Sequence, residues 1–221
     1  MTSPRGLLVA ALRSSSGKTT VTLGMLRALA RRGLAVAGAK CGPDYIDPAF
    51  HRAATGRASL NLDSWAMPPA LLAGLATTSA AGADLLVAEG LMGLFDGVPG
   101  APGRTGASAD VASALGLPVV LVHDVSGQSQ SAAAIVAGVR AYAPELRLAG
   151  VILNRVGSER HTRLVSDAIR AIGVEVFGAL PRSPDVTVPE RHLGLVQASE
   201  TAGLDALIDR MADLVATHVD L

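Results

Sequence analysis

Short, unbroken apolar runs alternate along the chain with longer stretches in which apolar residues return every three or four positions. The runs fall at residues 7–12, 34–39, 84–88, 118–123, 148–153 and 174–180. Runs of this length, apolar on successive rather than alternate positions, predict strands covered on both faces. Helical spacing follows Gly17 as far as Arg31 and recurs over 107–115, 129–143, 160–172 and 201–219. Strands that alternate with helices predict an α/β fold, a doubly wound and mostly parallel sheet with right-handed crossovers and helices on both faces. The 221 residues suit one such domain spanning 1–221, since the architecture takes roughly 150–250 residues.

Ligands of such sheets collect at the carboxyl ends of the strands. That rule selects residues 13–20, 40–51, 89–105, 124–130 and 154–158 as the segments that carry chemistry. The 89–105 segment is rich in glycine and proline and too long for a turn, the mark of a functional loop or lid. Composition then narrows the functions. Aromatics make up 3% of the chain, which leaves little for stacking on nucleic-acid bases. Lys plus Arg and Asp plus Glu balance at 19 each, so no protein-wide field gathers nucleic acid or anionic membrane. No apolar stretch reaches the roughly 18–20 residues of a membrane span. The single cysteine, Cys41, suits a reducing compartment. The expectation is a cytoplasmic protein with neither nucleic acid nor membrane as a partner.

The first of these segments reads Ser14-Ser15-Ser16-Gly17-Lys18-Thr19-Thr20. Between a buried strand and a helix N-terminus, its successive backbone N–H groups can surround phosphate oxygens while Lys18 adds a positive charge. The Thr19 hydroxyl can reach Mg2+. Leu12 occupies the slot of the first glycine in the G-x-x-x-x-G-K-[ST] pattern, so the loop is identified by its setting. Arg13 stands where the partitioning and septum-positioning switch ATPases carry an extra lysine, and such a switch ATPase is one alternative reading.

Lys40-Cys41-Gly42-Pro43-Asp44-Tyr45-Ile46-Asp47-Pro48 closes the second strand with a lysine and two aspartates between prolines, which restrict the backbone. Glu89 ends the third run and Asp96 follows in the glycine-rich loop. Carboxylates beside a triphosphate are ligands for Mg2+, a hard cation that takes oxygen donors. Acids beyond the metal can position a substrate or receive a proton.

These runs, with His51, Ala54-Thr55-Gly56-Arg57, Asn61-Leu62-Asp63, Glu89-Gly90-Leu91-Met92-Gly93-Leu94-Phe95-Asp96-Gly97, Ser108-Ala109-Asp110 and Gly150 to Val156, resemble the synthetase domain of cobyrinic or hydrogenobyrinic acid a,c-diamide synthases. More distantly the layout resembles dethiobiotin synthetase, a second alternative. The resemblance implies a phosphate-loop NTPase fold, ATP and Mg2+ as cofactors, and a corrinoid polycarboxylate as substrate. It implies phosphorylation of the a and c acetate carboxylates to acyl phosphates, which ammonia then converts to amides. It also implies roles: phosphate contacts for 14–20, metal-side positions for Thr19, Asp44 and Glu89, and substrate-side positions for Lys40, Asp47 and Asp96. Asn154, Pro181 and Arg182 match segments expected around the adenine. Arg52, Arg57 and Arg104 are candidate partners for a polyanionic macrocycle.

The family usually continues into a glutaminase domain, and the expectation is that residues 1–221 lack it. Cys41 has no nucleophile loop around it, and His51, His123, His161, His192 and His218 are too scattered to supply a Cys/His pair. Ammonia is therefore expected from outside, free or from a glutaminase domain or partner. A homodimer remains allowed.

Overall fold

The computed structural model describes residues 5–183, 186, 190–191, 194–195 and 197–221. His192 lies outside the described residues. Seven strands form one sheet: β1 (Gly6–Ala11), β2 (Val36–Cys41), β3 (Leu60–Leu62), β4 (Leu85–Glu89), β5 (Val119–Asp124), β6 (Leu148–Val156) and β7 (Val176–Pro181). Their order is β3-β2-β4-β1-β5-β6-β7, and every pair is parallel. A two-residue ladder of β8 (Glu190–Arg191) and β9 (Gly194–Leu195) stands apart.

Helices α1 (Lys18–Arg31), α2 (Asp47–Thr55) and α7 (Leu204–His218) cover one face; α3 (Pro69–Ser79), α4 (Ser108–Leu115), α5 (Ser131–Tyr142) and α6 (Glu159–Ala171) cover the other. Two apolar clusters fill the layers, and strand residues alternate between them. Leu8 and Ala10 pack on the α3–α6 side while Val9 faces α1 and α7. Both faces are dry, which is why the strands read as unbroken apolar runs.

The expected strands lie within a few residues of the observed ones. The irregular reading of residues 40–50 is corrected in its second half, where α2 begins at Asp47 with a proline in its first turn. Proline at that position lacks only an N–H that a helix start leaves unpaired. β3 and α3 were not expected either. Three residues are too few for a periodic signal, and α3 is apolar on most sides.

The sheet reverses direction of travel about β1, which has β4 on one side and β5 on the other. The carboxyl ends of β1, β2 and β4, with the start of α1, therefore meet at a single edge.

Candidate active site

β1 ends at Ala11, and the chain enters α1 through 13–17. Gly17 is the N-cap residue at φ 89°, in the left-handed region. A Cβ there would overlap the Asn154 side-chain nitrogen, so both conformation and space demand glycine. Ser15 also takes a positive φ of 59°, a backbone region that glycine enters most readily. No side chain caps α1 and its first turn holds no acid, leaving its N–H groups and positive dipole end to an anion. The Asn154 amide donates to the Ser16 carbonyl at 2.8 Å and so fixes the loop from the end of β6.

Parallel register places Lys40 of β2 directly beside Glu89 of β4. The two form a network buried at the sheet edge. Lys40 Nζ lies 2.5 Å from Asp47 Oδ2, 3.1 Å from Glu89 Oε1 and 4.0 Å from Asp44 Oδ2, and also donates to the Gly90 carbonyl. Thr19 Oγ1 donates to Glu89 Oε1 at 2.6 Å. His51 Nε2 sits 2.9 Å from Glu89 Oε2, with its other ring nitrogen 3.0 Å from Ser59 Oγ. Glu89 and His51 are wholly buried, Lys40 and Asp47 nearly so.

The charges shape one another. Burial alone would raise the Glu89 carboxyl, but Lys40, His51 and Lys18 together hold it well below the usual range. Burial would likewise lower Lys40, yet Glu89, Asp47 and Asp44 drive its ammonium well above its ordinary value. Lys40 is thus a permanent cation. Lys18 goes the other way: burial lowers it, and Glu89 offsets only part of the loss. Burial and the Glu89 charge raise the Asp47 carboxyl, with Lys40 opposing.

Asp44 accepts the backbone N–H groups of Ile46 and Asp47 through Oδ1 and leaves Oδ2 toward the site. Thr19, Glu89 and Asp44 thus present only oxygen donors beside the start of α1, which fits Mg2+. Among the described residues no three or more His, Cys, Asp or Glu are arranged to hold a metal ion. Magnesium takes carboxylate and hydroxyl oxygens and completes its shell with phosphates and water.

Asp96 does not join this network. It is exposed at the rim, and its Oδ2 accepts the Gly93 N–H at 2.8 Å. The 89–105 loop is also tied down: Asp110 takes the N–H and hydroxyl of Thr105, and Arg104 donates to the Ser64 and Trp65 carbonyls. Arg57 is likewise engaged with the Ala81 carbonyl, while Arg52 remains exposed. Cys41 is buried, and its thiol is pushed up to about 12 by loss of water contact, which removes it as a nucleophile.

Asn154, Pro181 and Arg182 line a cavity of about 570 Å³ together with Gly17, Thr20 and Arg155. It opens beside the first turn of α1, the place a nucleoside would take with its phosphates on the loop. The network around His51 was missed beforehand. Its signals are the place of His51 among the residues that carry the family resemblance and its spacing of four residues beyond Asp47, one helical turn into an element that the sequence pattern does not reveal.

Parallel sheet, phosphate loop and adjoining cavity define a phosphate-loop nucleotide-binding domain. Residues 7–196 match the CobQ/CobB/MinD/ParA nucleotide binding domain, and the chain belongs to that family. Hydrogenobyrinate a,c-diamide synthase of Mesorhizobium japonicum is 59% identical over 217 residues, covering 98% of this chain and 49% of that protein. The protein of the same name from Rhodobacter capsulatus is 58% identical over 220 residues, 99% and 50% of the two chains. The chain thus spans about half the length of the curated relatives it matches. The structure of chloroplast FtsY from Physcomitrella patens superposes with a TM-score of 0.57 at 17% identity, over 96% of this chain and 66% of that one, a likeness of fold.

Proposed function

We propose that the chain carries the ATP- and Mg2+-dependent half of an a,c-diamide synthase reaction on hydrogenobyrinic or cobyrinic acid. A carboxylate oxygen of the substrate attacks the γ-phosphorus of ATP and ADP leaves. Ammonia then attacks the acyl carbon of the resulting acyl phosphate, phosphate departs, and the nitrogen loses a proton. The observation that carries the reading is the contact of Thr19 with Glu89 at 2.6 Å, because it joins the phosphate loop to the Lys40–Asp47 network as one site. The relatives that match almost the whole chain bear the matching name.

In this reading the N–H groups of the loop and Lys18 bind the β- and γ-phosphates, and the cavity beside Asn154, Pro181 and Arg182 takes the adenosine. Thr19, Glu89 and Asp44 would hold magnesium, which supplies charge neutralisation to the phosphoryl group. Lys40 is a fixed counter-charge for the acyl phosphate. Asp47, with its raised affinity for a proton, orients the substrate carboxylate or accepts the proton of the incoming ammonia. Asp96, at the rim, meets the substrate.

Ammonia comes from outside these residues, since Cys41 is their one thiol and is sealed in the core. A glutaminase domain or partner is the natural source. Among the described residues no helix is long and apolar enough to cross a membrane, and a cytoplasmic setting supplies the ATP. A homodimer is compatible with this reading. The switch-ATPase alternative is disfavoured because the relatives that match almost the whole chain are named a,c-diamide synthases.

The test incubates the chain with ATP, Mg2+, ammonium and hydrogenobyrinic acid and follows amides by mass spectrometry. Mono- and diamides with matching ADP are expected, and none with glutamine in place of ammonium. A chain that binds ATP yet forms no amide would contradict the proposal.

A further inference from the structure

The carboxyl end of β5 holds a second charged cluster that the scheme above leaves unused. Asp124 is almost fully buried, and its Oδ2 receives two guanidiniums: Arg13 Nη2 at 2.8 Å from the phosphate loop and Arg155 Nη1 at 2.6 Å from the end of β6. Its Oδ1 takes the N–H and hydroxyl of Ser126. The carboxylate is thus saturated, while each guanidinium uses one donor on it and keeps 63% (Arg13) and 41% (Arg155) of its side chain exposed. Two positive charges against one negative leave a positive surplus beside the loop.

Arg155 also carries a cost. Its φ of 61° is left-handed, a conformation that strains a residue with a side chain and concentrates at functional positions. The strain is held by Asn154, whose Oδ1 accepts the Arg155 N–H while its amide nitrogen grips Ser16. This backbone turns Arg155 into the cavity that Gly17 and Thr20 also line.

We propose that Arg13 and Arg155 form a two-guanidinium site for the polyphosphate of the bound nucleotide, with Asp124 as the positioning residue that holds both beside the phosphate loop. Planar guanidiniums with spare donors suit phosphate oxygens. The saturated carboxylate fixes their places before the nucleotide arrives, which spares the ordering cost of two long side chains.

The inference rests on nucleotide binding at this loop and is independent of amide formation, so its test needs neither corrinoid nor ammonia. Calorimetric titration compares ATP with adenosine, which shares the cavity but lacks phosphate, and Lys18→Ala serves as the control for the loop. Arg13→Ala and Arg155→Ala should each weaken ATP about 10-fold, and the double variant more, with a much smaller loss for adenosine. Asp124→Asn should also erode the preference for ATP over adenosine. The conservative Arg13→Lys and Arg155→Lys variants should recover part of it, and they keep the test open should the alanine forms fail to fold. ATP affinity within twofold of the parent in both arginine variants, or equal losses for ATP and adenosine, would overturn the proposal. A Lys18→Ala variant with undiminished ATP binding would instead unseat the phosphate loop itself.

Discussion

Lys18 and Lys40 share one sheet edge yet respond to burial in opposite senses. Lys40 is enclosed by three carboxylates, whereas Lys18 has been dehydrated without an equal partner and gains most from a phosphate. Lys18→Ala should therefore abolish detectable ATP-dependent turnover, read as ADP release. Asp47→Asn should keep ATP affinity within a few-fold while amide formation falls at least 100-fold, a split visible by comparing binding with turnover. Glu89 bears on stability as well. Its folded pKa is depressed, so its contribution is whole above the unfolded value of about 4.3 and fades as the pH falls toward the folded one. Lys40 is raised, so its contribution is whole below about pH 10.4 and fades above it. Asp47, raised by burial and by Glu89, works against the acid-side loss. Urea titrations should find greatest stability between these limits, and Glu89→Gln should flatten the acid slope while lowering stability at neutral pH. The residue types at this edge could be read from the sequence. Their pairing could not, because it depends on the register that sets Lys40 beside Glu89, and on α2, which brings His51 in from a segment without periodic apolar spacing.

At the scale of elements, glycines mark where backbone and side chains approach. Gly38 lies under α2, and a Cβ on it would come 2.8 Å from the His51 Cβ. Gly38→Ala should push α2 off the sheet, lowering Tm by several degrees and disturbing the His51–Glu89 contact. Gly17→Ala meets both the left-handed backbone and the Asn154 side chain and should cost ATP binding more than stability, since the clash falls in the phosphate loop and outside the apolar core. Thermal melts alongside nucleotide titrations separate the two cases. The elements with long apolar patterns, such as β1, β5 and α6, were legible beforehand. The glycine-rich loop is legible as a loop but not as a pinned one: Arg104 ties it to the Ser64 and Trp65 carbonyls, 40 and 39 residues away in sequence, and Asp110 holds Thr105 through a local contact that leaves no periodic signal.

Across the whole molecule, one edge of a parallel sheet collects a phosphate loop, a dehydrated lysine, a buried acid network and a nucleoside-sized cavity. The fold follows from the chain's pattern, since runs buried on both faces allow little else, and the family from the motif runs at Lys40 to Pro48 and Glu89 to Gly97 together with the matching family model. The one thiol among these residues, Cys41, is buried with its pKa pushed up to about 12, so in the proposed reading the ammonia is made elsewhere. The most direct measurement is a single-turnover reaction with γ-labelled ATP and hydrogenobyrinic acid, without ammonium and then with it. Label should pass from ATP to an acid-stable, base-labile acyl phosphate, and ammonium should convert that species to amide and free phosphate. Hydrolysis of ATP at the same rate with and without the corrinoid, with no label on it, would contradict carboxylate activation.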